Sequence, residues 1–148
     1  MQSRAGPRLT ATSPWTGPRP SSGLLRRALL VDAATGGGTA ALMLLAADPL
    51  GDLLGLSPLL LRGAGAGLVP FVALLIGLAM RHTVATGATL AAIGVNVLWS
   101  LGSLLLLVTG DAEPTAIGVV YVAGQAMAVA LFALAQAEGL RRVGSPRA

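Results

Sequence analysis

The chain has 148 residues, of which 54% are hydrophobic and only 11% charged, with a mean hydropathy of +0.77 and a formal charge of +4. Soluble domains carry about 25% charged residues, so the composition is that of a collection of membrane spans. There is no cysteine, which excludes disulfides, thiol redox chemistry and cysteine-ligated metals. A single histidine, His82, cannot supply paired axial ligands, so di-haem bundles are excluded and no cofactor is expected. All ten basic residues are arginine, but no soluble fold or aromatic platform presents them to nucleic acid. They are better explained as determinants of membrane topology.

Residues 1–23 are rich in Pro, Ser, Gly and Arg, and Pro7, Pro14, Pro18 and Pro20 forbid a regular helix. They are expected to form a disordered cytoplasmic tail. Four apolar runs follow, at residues 28–47, 58–80, 83–109 and 114–137. Each reaches the roughly 20 residues that cross about 30 Å of hydrocarbon. The first is longer than a signal-peptide apolar region and contains Asp32, so it is read as a span. Residues 24–142 therefore form a four-span domain, and residues 143–148 a short basic tail.

The connections alternate in charge. Arg26 and Arg27 precede the first run, and Asp48 and Asp52 follow it. Arg81 and His82 form the second link, Asp111 and Glu113 lie in the third, and Arg141 and Arg142 follow the last run. Nine of the ten arginines fall on one side, which places both termini in the cytoplasm by the positive-inside rule. Arg62 is the exception and is expected to snorkel to the headgroups. Ser57-Pro58 and Glu113-Pro114 read as helix starts, and Thr109-Gly110 and Glu138-Gly139 as helix ends. The fold expected is all-α, a four-helix transmembrane bundle running up-down-up-down. The short links predict tight hairpins between spans two and three and between spans three and four. Leu50, Leu53, Leu54 and Leu56 suggest a short turn lying on the outer interface.

Polar and helix-perturbing residues collect near the run centres: Gly36 to Gly38 and Thr39, Pro70, Asn96, and Gln125. On the third run Thr86, Thr89, Ile93, Asn96, Ser100 and Ser103 recur at helical spacing and share a face. Asp32, Thr35, Gly36 and Thr39 do the same on the first run, and Tyr121, Gln125, Ala128 and Phe132 on the fourth. Two readings stand. In one, Asn96 and Gln125 hydrogen-bond across the bundle and small-residue pairs (Gly63/Gly67, Ala33/Gly37/Ala41, Gly124/Ala128) let helices approach. In the other, Asp32, Thr39, Asn96, Ser100, Tyr121 and Gln125 line a polar pathway, with Pro70 and the triple glycine breaking the helices near the midplane. Asp32 is either a proton or cation carrier or an interfacial residue bonded to Thr89, Gln136 or a basic neighbour. Trp99 and Tyr121 are read as packing residues, with Ser100 a partner for the tyrosine hydroxyl.

The segments LRRALLVDAATGGG (residues 25–38), GVNVLWSL (94–101) and AEGLRR (137–142) give the chain its family likeness. The plan resembles small four-helix bacterial integral membrane proteins of unassigned function, over residues 24–142. That resemblance implies the bacterial plasma membrane and no particular activity. The plan is also similar to small multidrug transporters, whose first helix carries a membrane-embedded Glu. Asp32 is the nearest equivalent, and aromatic residues make up only 3% of the chain. No hydrolytic constellation or metal motif is present, so an enzyme is not expected. The leading expectation is a structural or accessory membrane protein, as a homo-oligomer or with a membrane partner. The alternative is a small proton- or ion-coupled transporter or channel.

Overall fold

The computed structural model describes residues 23–109 and 113–144, and those residues are all-α, with five helices and no strand ladder. The helices are α1 (Gly23–Leu45), α2 (Ala47–Leu54), α3 (Pro58–Met80), α4 (Thr86–Thr109) and α5 (Ala116–Gly144). The four long helices are long and apolar enough to cross a membrane. Their outward faces carry Leu45, Leu59, Val69, Leu101, Met127 and Leu134, all exposed. An apolar exterior around an apolar bundle is what a lipid solvent requires. The chain is thus consistent with a multi-pass membrane protein. The expected N-terminal tail up to residue 22, Asp111 and the basic tail beyond residue 144 lie outside the described residues.

Helix ends depart from the apolar runs for identifiable reasons. α1 begins at Gly23 and takes in Arg26 and Arg27, because its first turns pack on the end of α5: Leu25 sits against Gly139. It stops at Leu45, since a continued helix would drive the Pro49 ring into the Leu45 carbonyl. The expected surface turn is instead a two-turn helix, α2. It buries Ala47, Gly51 and Leu54 on one face and exposes Asp48 and Asp52 on the other. Thr83 and Val84 stay outside α4, so the second link is longer than Arg81-His82. α5 starts after Pro114, with the Thr115 hydroxyl accepting from the Gly118 N–H at 3.1 Å as a cap. It runs through Gly139 to Gly144 and does not end there, supported by Glu138 ion pairs to Arg141 and Arg142. Pro70 and Gly36 to Gly38 lie within unbroken helices, so the expected midplane breaks are not observed.

The packing also differs from two tight hairpins. α1 packs extensively on α3 and on α5, and α4 on α5, whereas α3 and α4 approach each other least among the neighbouring long helices. One apolar cluster, including Leu25, Leu29, Leu75, Leu78 and Ala92, closes the bundle at the end that carries Arg26, Arg27, Arg81, Arg141 and Arg142. A second, including Met43, Leu54, Leu61, Leu68 and Val122, holds the opposite end. There α2 is tied to α5 through backbone: the Thr115 N–H donates to Leu54 O at 2.9 Å and its hydroxyl to Leu53 O at 2.8 Å. Terminal carbonyls of one helix are thereby satisfied by the start of another. Gly55 makes the turn between them, in the left-handed region at φ 68°. Arg62 pairs with Asp48 at 2.6 Å, an exposed bridge that turns it back toward α2.

Close approach uses glycines other than the expected pairs. Gly63, Gly67 and Gly124 have open space where a Cβ would stand. A Cβ on Gly118 would run into the Leu54 carbonyl, one on Gly139 would lie 2.8 Å from Leu25 Cα, and one on Gly65 3.0 Å from Met43 Cβ. Gly118→Ala and Gly139→Ala are therefore expected to destabilise the protein by about 1–3 kcal/mol, as overpacking does. Gly63→Ala, with no neighbour to displace, should be neutral or stabilising by up to about 1 kcal/mol. Thermal unfolding of the three variants in one detergent compares them directly.

Candidate functional site

Asp32 starts a polar cluster in the middle of the bundle. It lies two residues from the centre of α1, about 3 Å along the axis. Because α1 starts at Gly23, the carboxylate is deeper than the apolar run alone suggests. The side chain is 4% exposed and faces Asn96 of α4 (2%) and Gln136 of α5 (0%). Asn96 Nδ2 donates to Asp32 Oδ2 at 2.6 Å, and Gln136 Nε2 donates to the same oxygen at 2.7 Å. The second proton on Asn96 Nδ2 reaches toward Gln136 Oε1 at 3.5 Å. The three side chains form a closed triangle linking three spans.

Helix geometry places them at one height. Asp32 is nine residues from the start of α1 and Gln136 eight residues from the end of α5, and those two ends meet at Leu25 and Gly139. Asn96 is ten residues into α4, on the buried stripe it shares with Thr89, Ala92 and Ser100. Ser100 adds a second link between α4 and α5, donating to Ala126 O at 2.9 Å. The tyrosine expected to bond Ser100 is thus not its partner. Thr89 bonds within α4, to Ala85 O at 3.1 Å.

Both donors to Asp32 fall on Oδ2, and no donor among the described residues bonds Oδ1. No arginine among them pairs with the carboxylate, since the ion pairs are Arg62 to Asp48 and Arg141 and Arg142 to Glu138. Asp32 and Asn96 stand at the edge of a cavity of about 420 Å³ between α1, α3, α4 and α5. Thr39, Tyr121 and Gln125 line this cavity and do not join the triangle. Of the two amides expected to bond across the bundle, Asn96 does so through Asp32, whereas Gln125 lines the cavity. Gln125 lies half-buried, while the buried stripe of α5 is Gly118, Val122, Ala126, Ala133 and Gln136. A second cavity, of about 470 Å³, continues between α3 and α4 toward the end that carries Asp48, and shares Val95, Trp99, Tyr121 and Gln125 with the first. Arg26, Arg27, Arg81, Arg141 and Arg142 are exposed at the other end, beyond the apolar cluster that closes it.

The cavity wall is mostly apolar, and its aromatic content is its other notable feature. Phe71, Trp99, Tyr121 and Phe132 all line it, and these are the four aromatic residues within the described segments. The low overall aromatic content therefore understated the site, because nearly all of it is concentrated in one place. No metal-holding group of His, Cys, Asp and Glu occurs among the described residues. No family model, curated protein or solved structure matches the chain.

Sequence reasoning missed Phe71 as a cavity residue, placed Phe132 on the cavity-lining face with Tyr121, Gln125 and Ala128 without giving it a role, and raised Gln136 only as one partner for Asp32. Matching heights from the packed helix ends would have singled out Gln136. The triangle should behave as a unit. Asn96→Ala and Gln136→Ala are each expected to lower stability by about 1–3 kcal/mol, since each strips a donor from a buried carboxylate. The double variant should lose less than the sum, with a coupling of at least about 0.5 kcal/mol in a double-mutant cycle read from thermal or denaturant unfolding.

Proposed function

We propose that the protein is a small multi-pass carrier that binds a solute in its intramembrane cavity and exchanges it against a proton at Asp32. The observation that carries this reading is a buried carboxylate at the edge of a cavity, held through one oxygen by two neutral amides and paired with no arginine among the described residues. A lone charge at such depth is costly unless a proton or a cation balances it. An adhesive link between spans would need no charge, because paired amides supply the same hydrogen bonds. The cavity extends toward the acidic end and is sealed at the arginine end, which supports access from one side at a time.

In this reading the spans run up-down-up-down through a bacterial plasma membrane. Arg26, Arg27, Arg81, Arg141 and Arg142 hold their end, and both termini, on the cytoplasmic side. The protein catalyses no covalent chemistry and its surroundings are the lipid bilayer. A second reading, a structural or accessory subunit assembled with itself or a membrane partner, is favoured by the open face at Gly63, which lines neither cavity.

The absence of cysteine allows a direct test. Single cysteines at Thr39 and Gln125 are expected to react with a small membrane-impermeant thiol reagent added from the outside, as should an Asp52→Cys control. A cysteine at Leu101, exposed on α4 and outside both cavities, should stay silent. In proteoliposomes, Asp32→Asn is expected to abolish solute-driven proton movement. Silence at both cavity positions alongside a labelled control, with proton movement unchanged in the Asp32 variant, would leave the accessory reading in place.

A further inference from the structure

Beyond the carrier reading, we infer that the seam between α3 and α4 is a lipid site for an uncharged single-chain lipid with a hydroxyl or carbonyl head. Its apolar tail lies in the seam, and its head reaches inward to Trp99, Tyr121 and Gln125. The inference uses no property of Asp32, so it and the carrier can fail separately.

Helical periodicity builds the seam. Val95, Trp99, Gly102 and Leu106 recur at intervals of four, three and four, which lays one face of α4 along the second cavity. From Val95 to Leu106 that face is about 16 Å long. Leu60 and Ala64 of α3 form the facing wall, and no charged side chain lines the space. Leu60, Leu98 and Gly102 on its rim are exposed, so the groove opens sideways onto the surface that the bundle turns to lipid. α3 and α4 approach each other least among the neighbouring long helices. Hydrocarbon lying between them supplies the packing that the two helices do not make directly.

The inner end of the groove is polar. Trp99 on α4, and Tyr121 and Gln125 one turn apart on α5, border both cavities. All three are half-buried, and none of their side chains has a hydrogen-bond partner among the described residues. No sealed polar atom among those residues lacks a partner, so these three tips open on the cavities. A polar tip without a partner is costly at the middle of a span, and a head group that supplies one is held there. The indole N–H donates, the phenol donates or accepts, and the amide does both. A hydroxyl or carbonyl suits all three.

Other occupants match one end of the groove only. A plain hydrocarbon fills the seam and leaves the three tips unpartnered. A charged phospholipid headgroup finds no opposite charge in the lining and stays at the interface, so its chain leaves them bare as well. Water satisfies the tips but not an apolar space of about 470 Å³. An uncharged head on a long chain matches both ends.

The test uses the full chain in phosphatidylcholine bilayers with Trp15→Phe, so that Trp99 alone reports. Two brominated alcohols are titrated, 2-bromohexadecan-1-ol and 16-bromohexadecan-1-ol, because bromine quenches indole only at close range. Trp99 lies within two residues of the centre of α4, near the bilayer midplane. In free bilayer the alcohol keeps its hydroxyl at the interface, and the terminal bromine is then the nearer to Trp99. Head-first binding reverses that order: quenching by the 2-bromo alcohol is expected to saturate and to exceed quenching by the 16-bromo alcohol. Gly102→Leu, which fills the seam from a position with open space at its Cβ, should remove the saturable part. Gln125→Leu and Tyr121→Phe should each weaken it about 3- to 10-fold. Where a variant folds poorly the parent protein decides, since the order of quenching needs no further substitution. Stronger quenching by the 16-bromo alcohol, or quenching that rises with dose without saturating, would mean a seam wetted by bulk lipid and would overturn the site. Saturable head-first quenching without Asp32-dependent proton movement would keep the lipid site and remove the carrier. The reverse result would keep the carrier alone.

Discussion

The hydrogen-bonded triangle of Asp32, Asn96 and Gln136 is the interaction on which the rest of the bundle depends. Lipid tails are as apolar as leucine, so the hydrophobic effect does little to bring spans together. Packing and polar contacts must do that work. The triangle joins α1, α4 and α5 at one height, and the Ser100 to Ala126 bond continues the α4/α5 link by one turn. α3 contributes no side chain to it and is held by α1 and the terminal clusters instead. The loose α3/α4 seam, and the cavities along it, follow from that asymmetry.

At the two ends of the bundle the constraints are steric and carried by backbone. Gly139 lets Leu25 lie against α5, which carries α1 back to Gly23 and sets the register of the two helices. That register puts Asp32 opposite Gln136. At the other end, Gly118 and Gly55 let the last turn of α2 reach the first turn of α5, where Thr115 bonds the carbonyls of Leu53 and Leu54. A helix that short would not persist alone. Its terminal carbonyls find donors because α5 begins beside it. Two fixed ends and one polar triangle leave the α3/α4 wall as the most loosely packed pairing of neighbouring long helices.

The number and approximate extent of the long helices were legible in the sequence, because a twenty-residue apolar run has few other uses. Their ends were less so. Gly139 reads locally as a terminator, and only the presence of Leu25 reveals it as a contact. Pro49 could have marked the end of α1, since its clash with Leu45 is local. Tertiary packing also decided which small residues matter. Gly63 and Gly67 match a spacing rule but meet nothing, whereas Gly65 and Gly118 match none and are enclosed. Periodicity placed Asp32 and Asn96 on inward faces. On α5 it followed Gln125, although the buried stripe lies about one residue over, and so Gln136 was left as one candidate among several. The aromatic site was the least legible part. Phe71, Trp99, Tyr121 and Phe132 come from three helices, and no single-helix pattern joins them.

A purely structural account must explain why the triangle contains an acid. Asparagine at position 32 would offer an acceptor oxygen to Asn96 and Gln136 with almost the same shape and no charge to bury. Burying a carboxylate among neutral amides brings a desolvation cost that their hydrogen bonds offset only in part. If adhesion were its purpose, an arginine partner or a second amide would serve better. The carboxylate instead shares one oxygen between two amides, which fixes its position at the edge of a space walled by aromatic rings. In the carrier reading the triangle is a mount. It holds an acid that no basic side chain among the described residues pairs with, at a depth where an arriving proton has a large effect on energy.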